Sequence, residues 1–315
     1  MAEPGIELSQ TLDKKEMVRW AYRLFLDREP ESDAVLSGRS QDTRSLRAEF
    51  MTCEEFIVAN PHFSMLHDDW IIKITKYGFR LFVYLREVAI SKNILLDNYE
   101  KAEVAFVQSV VKPGHTVIDI GANIGFYAML FSSIVGPAGQ VHAFEPVPFL
   151  YDKLNLSRQE NRFENICQTY NCALGAEPGT LNLFHAIGGM NFGGSHLLSE
   201  PVDPRREDVK PVQVRTLDDL LLPGKIDFIK MDVEGAEPMV ITGGMARLAE
   251  HKPTILCELH NDGLRRVSKS DANQLIGALA GIGYRCALLL PDGTLGETIT
   301  EYAAEAPINV VFSAA

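Results

Sequence analysis

Residues 116–125 read TVIDIGANIG, and residues 140–146 read QVHAFEP. The first stretch is a short strand-like run, TVIDI, followed by glycines at 121 and 125 and a helical pattern from 124. Glycines at that point let the backbone turn sharply and approach a ligand, and a helix N-terminus offers free N–H groups. A dinucleotide loop would carry G-x-G-x-x-G, so that a pyrophosphate can sit against the backbone. Here the spacing is G-x-x-x-G, and Asn123 stands where the middle glycine would be. A side chain at that position suits a ligand without a pyrophosphate. Twenty residues past Gly125 the second strand ends at Glu145. An acidic side chain at that strand tip can accept hydrogen bonds from both hydroxyls of a ribose.

Outward from this pair, strands and helices alternate. A helix from about 149, the strand NICQTYNCAL, and a region at 185–211 rich in Gly, Pro and Ser come next. Then follow IDFIKMD, a helix from about 236, PTILCEL, a helix from 271, YRCALLL and INVVF. Near-continuous apolar strands separated by helices predict a doubly wound, mainly parallel sheet covered on both faces. The third strand brings the small Ala173 to where an adenine ring could lie. The fourth delivers Asp232, Glu234 and Glu237, and the fifth places Glu258, His260 and Asn261 on the neighbouring tip. Such strand tips are where doubly wound sheets bind ligands. Glu237 also reads as a first-turn residue favoured by the helix dipole.

Upstream, residues 1–60 are expected to form a small helical unit. Val18, Ala21, Tyr22 and Phe25 recur at helical spacing up to Glu29-Pro30, and Leu46, Phe50 and Cys53 mark a second amphipathic helix that Asn60-Pro61 ends. Residues 61–98 connect, with a strand at FRLFVYL (79–85), and a helix runs from 99 to 111. The net charge of −12 disfavours a phosphate backbone as partner, and no run of Lys and Arg offsets it. The five cysteines include no C-x-x-C pair, which fits a reduced, cytoplasmic setting better than a disulfide scaffold. MAEPGIELSQ lacks the apolar core of a signal peptide, and no apolar stretch approaches the roughly 20 residues of a membrane span.

At this point the chain resembles the FkbM family of methyltransferases. The matching stretches are VIDIGANIGFYAMLFSSIVGPAGQVHAFEP, CALG, VRTLDDLL and IDFIKMDVEGAE, with the lead-in NYEKAEVAFVQSVVKPG, over about residues 95–260. The resemblance implies a class I methyltransferase (Rossmann-like) fold with a seven-stranded sheet over residues 99–315, and S-adenosylmethionine as cofactor. It implies that Asp119, Gly121, Ala122, Asn123, Gly125, Glu145 and Ala173, with Glu100 from the lead-in, line the cofactor site. Asp232 and Glu234 would lie near the reaction centre. Members methylate mainly hydroxyl groups of sugars and natural products, so a sugar, glycan or other small molecule is the expected acceptor. The pattern YRLFLDREPES…LRAEFMTCEEF separately resembles short helical domains, of unassigned function, attached to bacterial surface-glycan enzymes.

Methyl transfer from a sulfonium needs alignment and removal of the acceptor's proton. A sugar hydroxyl is a weak acid, so a base or a metal must help. His260 or Asp232 is the expected base, imidazole being the better tuned near neutral pH. His260 also reads as a partner for nearby backbone or carboxylate groups. A metal version would place Mg²⁺ on Asp232 with Glu258 or His260. The loop FHAIGGMNFGGSHLLSE (184–200) offers Asn191, Ser195 and His196 as acceptor contacts, and reads equally as a mobile surface loop. Two rival readings are a nicotinamide oxidoreductase and a catalytically silent ligand-binding or scaffold protein of a glycan assembly system.

Overall fold

The computed structural model describes residues 13–39, 42–51, 53, 55–56, 69–185, 191–198, 203, 206, 208–220, 222 and 224–315. The expectations for residues 1–10, the Asn60-Pro61 break, the segment 61–68 and the middle of the 184–200 loop fall outside these residues.

Among the described residues the helical unit shows one helix more than its periodicity: α1 (Lys14–Leu26), α2 (Asp33–Ser37) and α3 (Thr43–Met51). Asp13 caps α1 by accepting a hydrogen bond from the Lys15 amide, and Asp27 ends it in the left-handed conformation. Val18, Tyr22, Leu36, Leu46 and Phe50 close a core of their own, with Tyr22 edge-on to Phe50 at 4.8 Å.

Two strands, β1 (Trp70–Ile74) and β2 (Arg80–Tyr84), then pair antiparallel. The strand expected at 79–85 thus finds a partner the sequence did not advertise. Two helices lead on, α4 (Ser91–Leu95) and α5 (Lys101–Val110).

The main sheet is built from β3 (Thr116–Ile120), β4 (Gln140–Phe144), β5 (Cys167–Tyr170), β10 (Phe228–Met231), β11 (Thr254–Leu259), β12 (Tyr284–Leu289), β13 (Leu295–Ile299) and β14 (Ile308–Ala314). Their spatial order is β13-β12-β14-β11-β10-β3-β4-β5. The pairs from β11 across to β5 are parallel, and β14 runs antiparallel to both its neighbours. Among the described residues the sheet therefore has eight strands rather than seven, because the chain after Leu289 folds back as an antiparallel edge. Successive residues face opposite layers. Val117, Ala143, Phe228 and Leu256 join one core with α5, α6 (Phe126–Val135) and α7 (Pro148–Glu160). Ile118, Phe144, Ile229 and Cys257 join the other, with α8 (Glu237–Thr242), α9 (Met245–His251), α10 (Asn261–Ser268) and α11 (Ala272–Gly281).

Two local departures matter. The strand expected at NICQTYNCAL breaks after Tyr170, where the Asn171 side-chain amide donates to the carbonyls of Glu145 (2.8 Å) and Pro146 (3.2 Å). The chain resumes as β6 (Ala173–Leu174), which joins β9 (Val209–Arg215), β7 (Gly179–Phe184) and β8 (His196–Leu198) in a second sheet ordered β6-β9-β7-β8. The helix expected from 236 is split at Gly243-Gly244, where a Cβ on Gly243 would lie 2.0 Å from the Gly175 carbonyl.

Candidate active site

The chain leaves β3 toward β4 on one side and returns to β10 on the other. The crevice at that switch of direction is where a doubly wound sheet opens for a ligand. A cleft of about 910 Å³, part of it open to solvent, lies there.

The turn after β3 is held by specific contacts. Gly121 has φ +85°, and a Cβ on it would meet the Asp232 carbonyl oxygen at 2.0 Å, so β3 and β10 approach as closely as they do only because it is glycine. Asn123 is left-handed (φ 51°), a conformation asparagine tolerates better than most residues. Its amide donates to Glu145 Oε2 (2.7 Å), and its own Oδ1 accepts from the Ile124 amide (2.8 Å). That last bond is made within the turn itself, ahead of α6 (Phe126–Val135) and its cap Gly125.

Glu145 is buried, and its other oxygen accepts from the Val147 amide at 2.7 Å. Both oxygens are thus aimed by backbone donors, and each keeps a lone pair for a further donor. Burial pushes the Glu145 carboxyl up to about 7, with the two amide bonds opposing it. Asp119 is 1 % exposed, and its Oδ2 has no hydrogen-bonding partner among the described residues. Burial drives it up to about 7 against the pull of the Lys230 ammonium, and Asp232 and Glu100 add to the rise. A buried carboxylate oxygen without a donor is costly unless a ligand completes it.

Of the eight residues expected to hold the cofactor, Asp119, Gly121, Ala122, Asn123, Glu145 and Ala173 line the cleft. Gly125 does not. Its φ is +96°, and a Cβ on it would strike the Leu154 side chain at 2.6 Å, so this glycine serves helix packing. Glu100 does not line the cleft either. It accepts a hydrogen bond from the Tyr127 hydroxyl (2.6 Å) and lines a second cavity, of about 580 Å³ and also partly open to solvent, with Glu103, Lys230, Asp232, Glu258 and Asn309.

Among the expected catalytic residues, Asp232 lines both cavities and Glu234 lines the cleft. Burial, with Asp232, Glu258 and Glu237 adding repulsion, raises Glu234 to about 8. Glu237 takes its structural role: it is buried, and one carboxylate oxygen accepts from the Val233 (3.1 Å) and Gly235 (3.4 Å) amides. His260 lines neither cavity. It is the residue just before α10, and its Nδ1 lies 3.6 Å from where a Cβ on Gly263 would stand, so the ring packs beside its own helix's first turn. Among the described residues no three His, Cys, Asp or Glu side chains converge as metal ligands. Asp232, Glu258 and His260 therefore do not come together as three ligands; Asp232 and Glu258 share the second cavity, and His260 lies outside it.

From the 184–200 loop, Ser195 and His196 line the cleft, while Asn191 caps a short turn by accepting from the Gly193 amide (3.0 Å). Burial lowers the His196 pKa, which keeps the ring neutral. Phe192 also lines the cleft and stacks on Trp70 at 5.8 Å, tying the β1-β2 hairpin to the site. Sequence reasoning passed over Lys230, Tyr127 and Phe192. Only Lys230 carried a signal, as a charged residue inside a strand expected to be buried.

A doubly wound sheet with an acid-tipped second strand and a non-dinucleotide glycine turn is the architecture of class I methyltransferases. The pattern described as the FkbM methyltransferase domain matches residues 119–286, more than half of the 315 residues, and the chain belongs to that S-adenosylmethionine-dependent family. The match runs past the expected limit near 260 and takes in α10, α11 and the start of β12. The chain is 28% identical over 160 residues to 31-O-demethyl-FK506 methyltransferase FkbM of Streptomyces tacrolimicus, covering 42% of this chain and 60% of that protein. To the methyltransferase sdnD of Sordaria araneosa it is 30% identical over 157 residues, covering 40% and 59%. It thus matches about three fifths of the length of each. The solved methyltransferase FkbM of Methylobacillus flagellatus KT superposes at a TM-score of 0.42, with 17% identity over 89% of this chain and 65% of that one. Among the described residues no helix is long and apolar enough to cross a membrane.

Proposed function

We propose that this chain moves the methyl group of S-adenosylmethionine onto a hydroxyl oxygen of a sugar, glycan or natural product. The unpartnered carboxylate oxygen of Asp119, a residue that lines the cleft with the anchored Glu145, carries the cofactor assignment. Glu145 would accept from the ribose hydroxyls, the apolar wall of Phe144, Cys172, Ala173 and Leu174 would take the adenine, and Asp119 would accept from the donor groups of the amino-acid end. Bound there, the cofactor supplies a methyl group already activated by its sulfonium.

The remaining work belongs to the acceptor's proton. Asp232 is the carboxylate that borders both cavities, so it is the group placed to orient a hydroxyl and take its proton. His260, which borders neither, is not needed for that step. The name of the Streptomyces relative specifies an oxygen acceptor on a natural product, which favours oxygen here.

Calorimetric titration with S-adenosylhomocysteine, with NAD as control, tests the cofactor reading. Binding in the micromolar range by the former alone is expected. Binding of NAD instead would overturn it. Activity with labelled cofactor against sugar and natural-product acceptors then tests the oxygen acceptor, which a product labelled on nitrogen would refute.

A further inference from the structure

Lys230 is 6 % exposed, an unusual place for a lysine. In the parallel pairing of β10 with β3 it stands directly opposite Asp119. Its Nζ donates to Asp232 Oδ2 at 3.1 Å and lies 4.6 Å from the centre of the Tyr127 ring. The ring is itself fixed by the Tyr127 hydroxyl's bond to Glu100 (2.6 Å). Lys230 and Asp232 together border both the cleft and the second cavity, and among the described residues no other Lys or Arg lines either.

We infer that Lys230 is a catalytic residue: its ammonium donates a hydrogen bond to the acceptor oxygen, reached from the second cavity, while Asp232 takes that oxygen's proton. This rests on the methyltransferase reading above. The bond formed joins the acceptor oxygen to the methyl carbon, and the bond broken joins that carbon to the sulfonium sulfur. The proton ends on Asp232 and the thioether leaves neutral, so charge balances, and Lys230 stays protonated throughout.

An ammonium has three donors, and among the described residues Asp232 accepts the only hydrogen bond drawn from this one. Burial opposes the charge, yet the carboxylates of Asp232, Glu100 and Asp119 hold the group well above the ordinary lysine pKa. It therefore acts as a fixed cation and not as a base. Its setting would otherwise repel a developing oxyanion. Asp119 on β3, Tyr99 and Glu100 ahead of α5, Glu103 within it, Glu234 and Glu237 after β10, and Cys257 and Glu258 on β11 all bear on this pair. Burial raises Asp119, Glu237 and Glu258 to about 7 and Glu234 to about 8, so these four are ionised only in part near neutrality. The Lys230 charge is then the group that lowers a hydroxyl's pKa, the service a metal performs elsewhere.

The test uses the full chain saturated with S-adenosylhomocysteine and 4-nitrophenol as a chromogenic acceptor mimic. The bound phenol should ionise with its pKa lowered by about 1 to 3, as expected beside a fixed opposite charge. Lys230→Met should abolish that shift while retaining S-adenosylhomocysteine binding, and Lys230→Arg should restore it. Asp232→Asn should leave the phenolate at least as favoured, because a competing negative charge is gone, whereas a purely structural pair would lose the shift in both variants. An unperturbed bound phenol, a shift that survives Lys230→Met, or no phenol uptake by the complex would each overturn the assignment. Failure of S-adenosylhomocysteine itself to bind would instead sink the cofactor reading.

Discussion

Replacing Asp119 by asparagine should make this protein more stable at pH 8 and less stable at pH 4. The Asp119 carboxyl rises from 3.8 to about 7 in the fold, chiefly through burial. Below pH 3.8 the group is neutral in folded and unfolded chains, and contributes nothing to the pH dependence. As pH climbs from 3.8 to about 7, only the unfolded chain gives up the proton, so folding loses stability continuously. Above pH 7 the loss is complete. At 1.36 kcal/mol per pH unit the gap corresponds to about 4 kcal/mol. Asparagine removes this loss but brings an NH₂ group to a place where Asp119 Oδ2 already has no partner, at about 2 kcal/mol. The variant should therefore be about 2 kcal/mol less stable near pH 4 and about 2 kcal/mol more stable near pH 8. In a chain of this size that is a melting-temperature difference of roughly 5 °C in each direction. Thermal unfolding of both proteins across pH 4 to 8 reads this directly. Calorimetry alongside should show at least a tenfold weaker hold on S-adenosylhomocysteine, the trade between stability and function expected of a preorganised site. A difference that does not change with pH, or a variant destabilised most at pH 8, would refute the claim that Asp119 is an under-partnered buried acid.

Two further outcomes follow from the geometry of the cleft. Gly121→Ala would set a methyl group 2.0 Å from the Asp232 carbonyl at a φ of +85°. The loss should exceed about 3 kcal/mol, seen as reduced soluble yield and a lower melting temperature, and an unchanged melting curve would contradict the β3-β10 contact. Trp70, one of two tryptophans, stacks on the cleft residue Phe192. Saturation with S-adenosylhomocysteine should change tryptophan emission in the wild type and not in Trp70→Phe, and equal changes in both would break the link between hairpin and cleft.

The parts of the site legible from sequence are those set by local backbone chemistry. Gly121, Asn123 and Glu145 could be read because turn conformation and strand-tip position constrain residue type within a few residues of chain. Gly125 misled for the same reason: its glycine signal is real, but Leu154, distant in sequence, is what requires it. Of the two expected bases, Asp232 borders both cavities and His260 borders neither, for a different reason. Knowing that Glu258 and His260 sit at a strand tip does not say which way each side chain turns, and α10 begins so soon after β11 that His260 is taken up at its N-terminus.

The sequence by itself determined the class of fold, the family, and the glycine turn and acidic tip that line the cleft. Each is written in short-range periodicity or in a motif of a few residues. Only the tertiary structure decided that the buried Lys230 turns its ammonium to Asp232, that the third strand breaks into two sheets, and that Phe192 closes on Trp70. Those contacts join residues far apart in the chain or depend on the direction of a side chain. Burial, which sets the charge of Asp119, Glu145 and Glu234, is a property of the packed molecule and not of any segment of it.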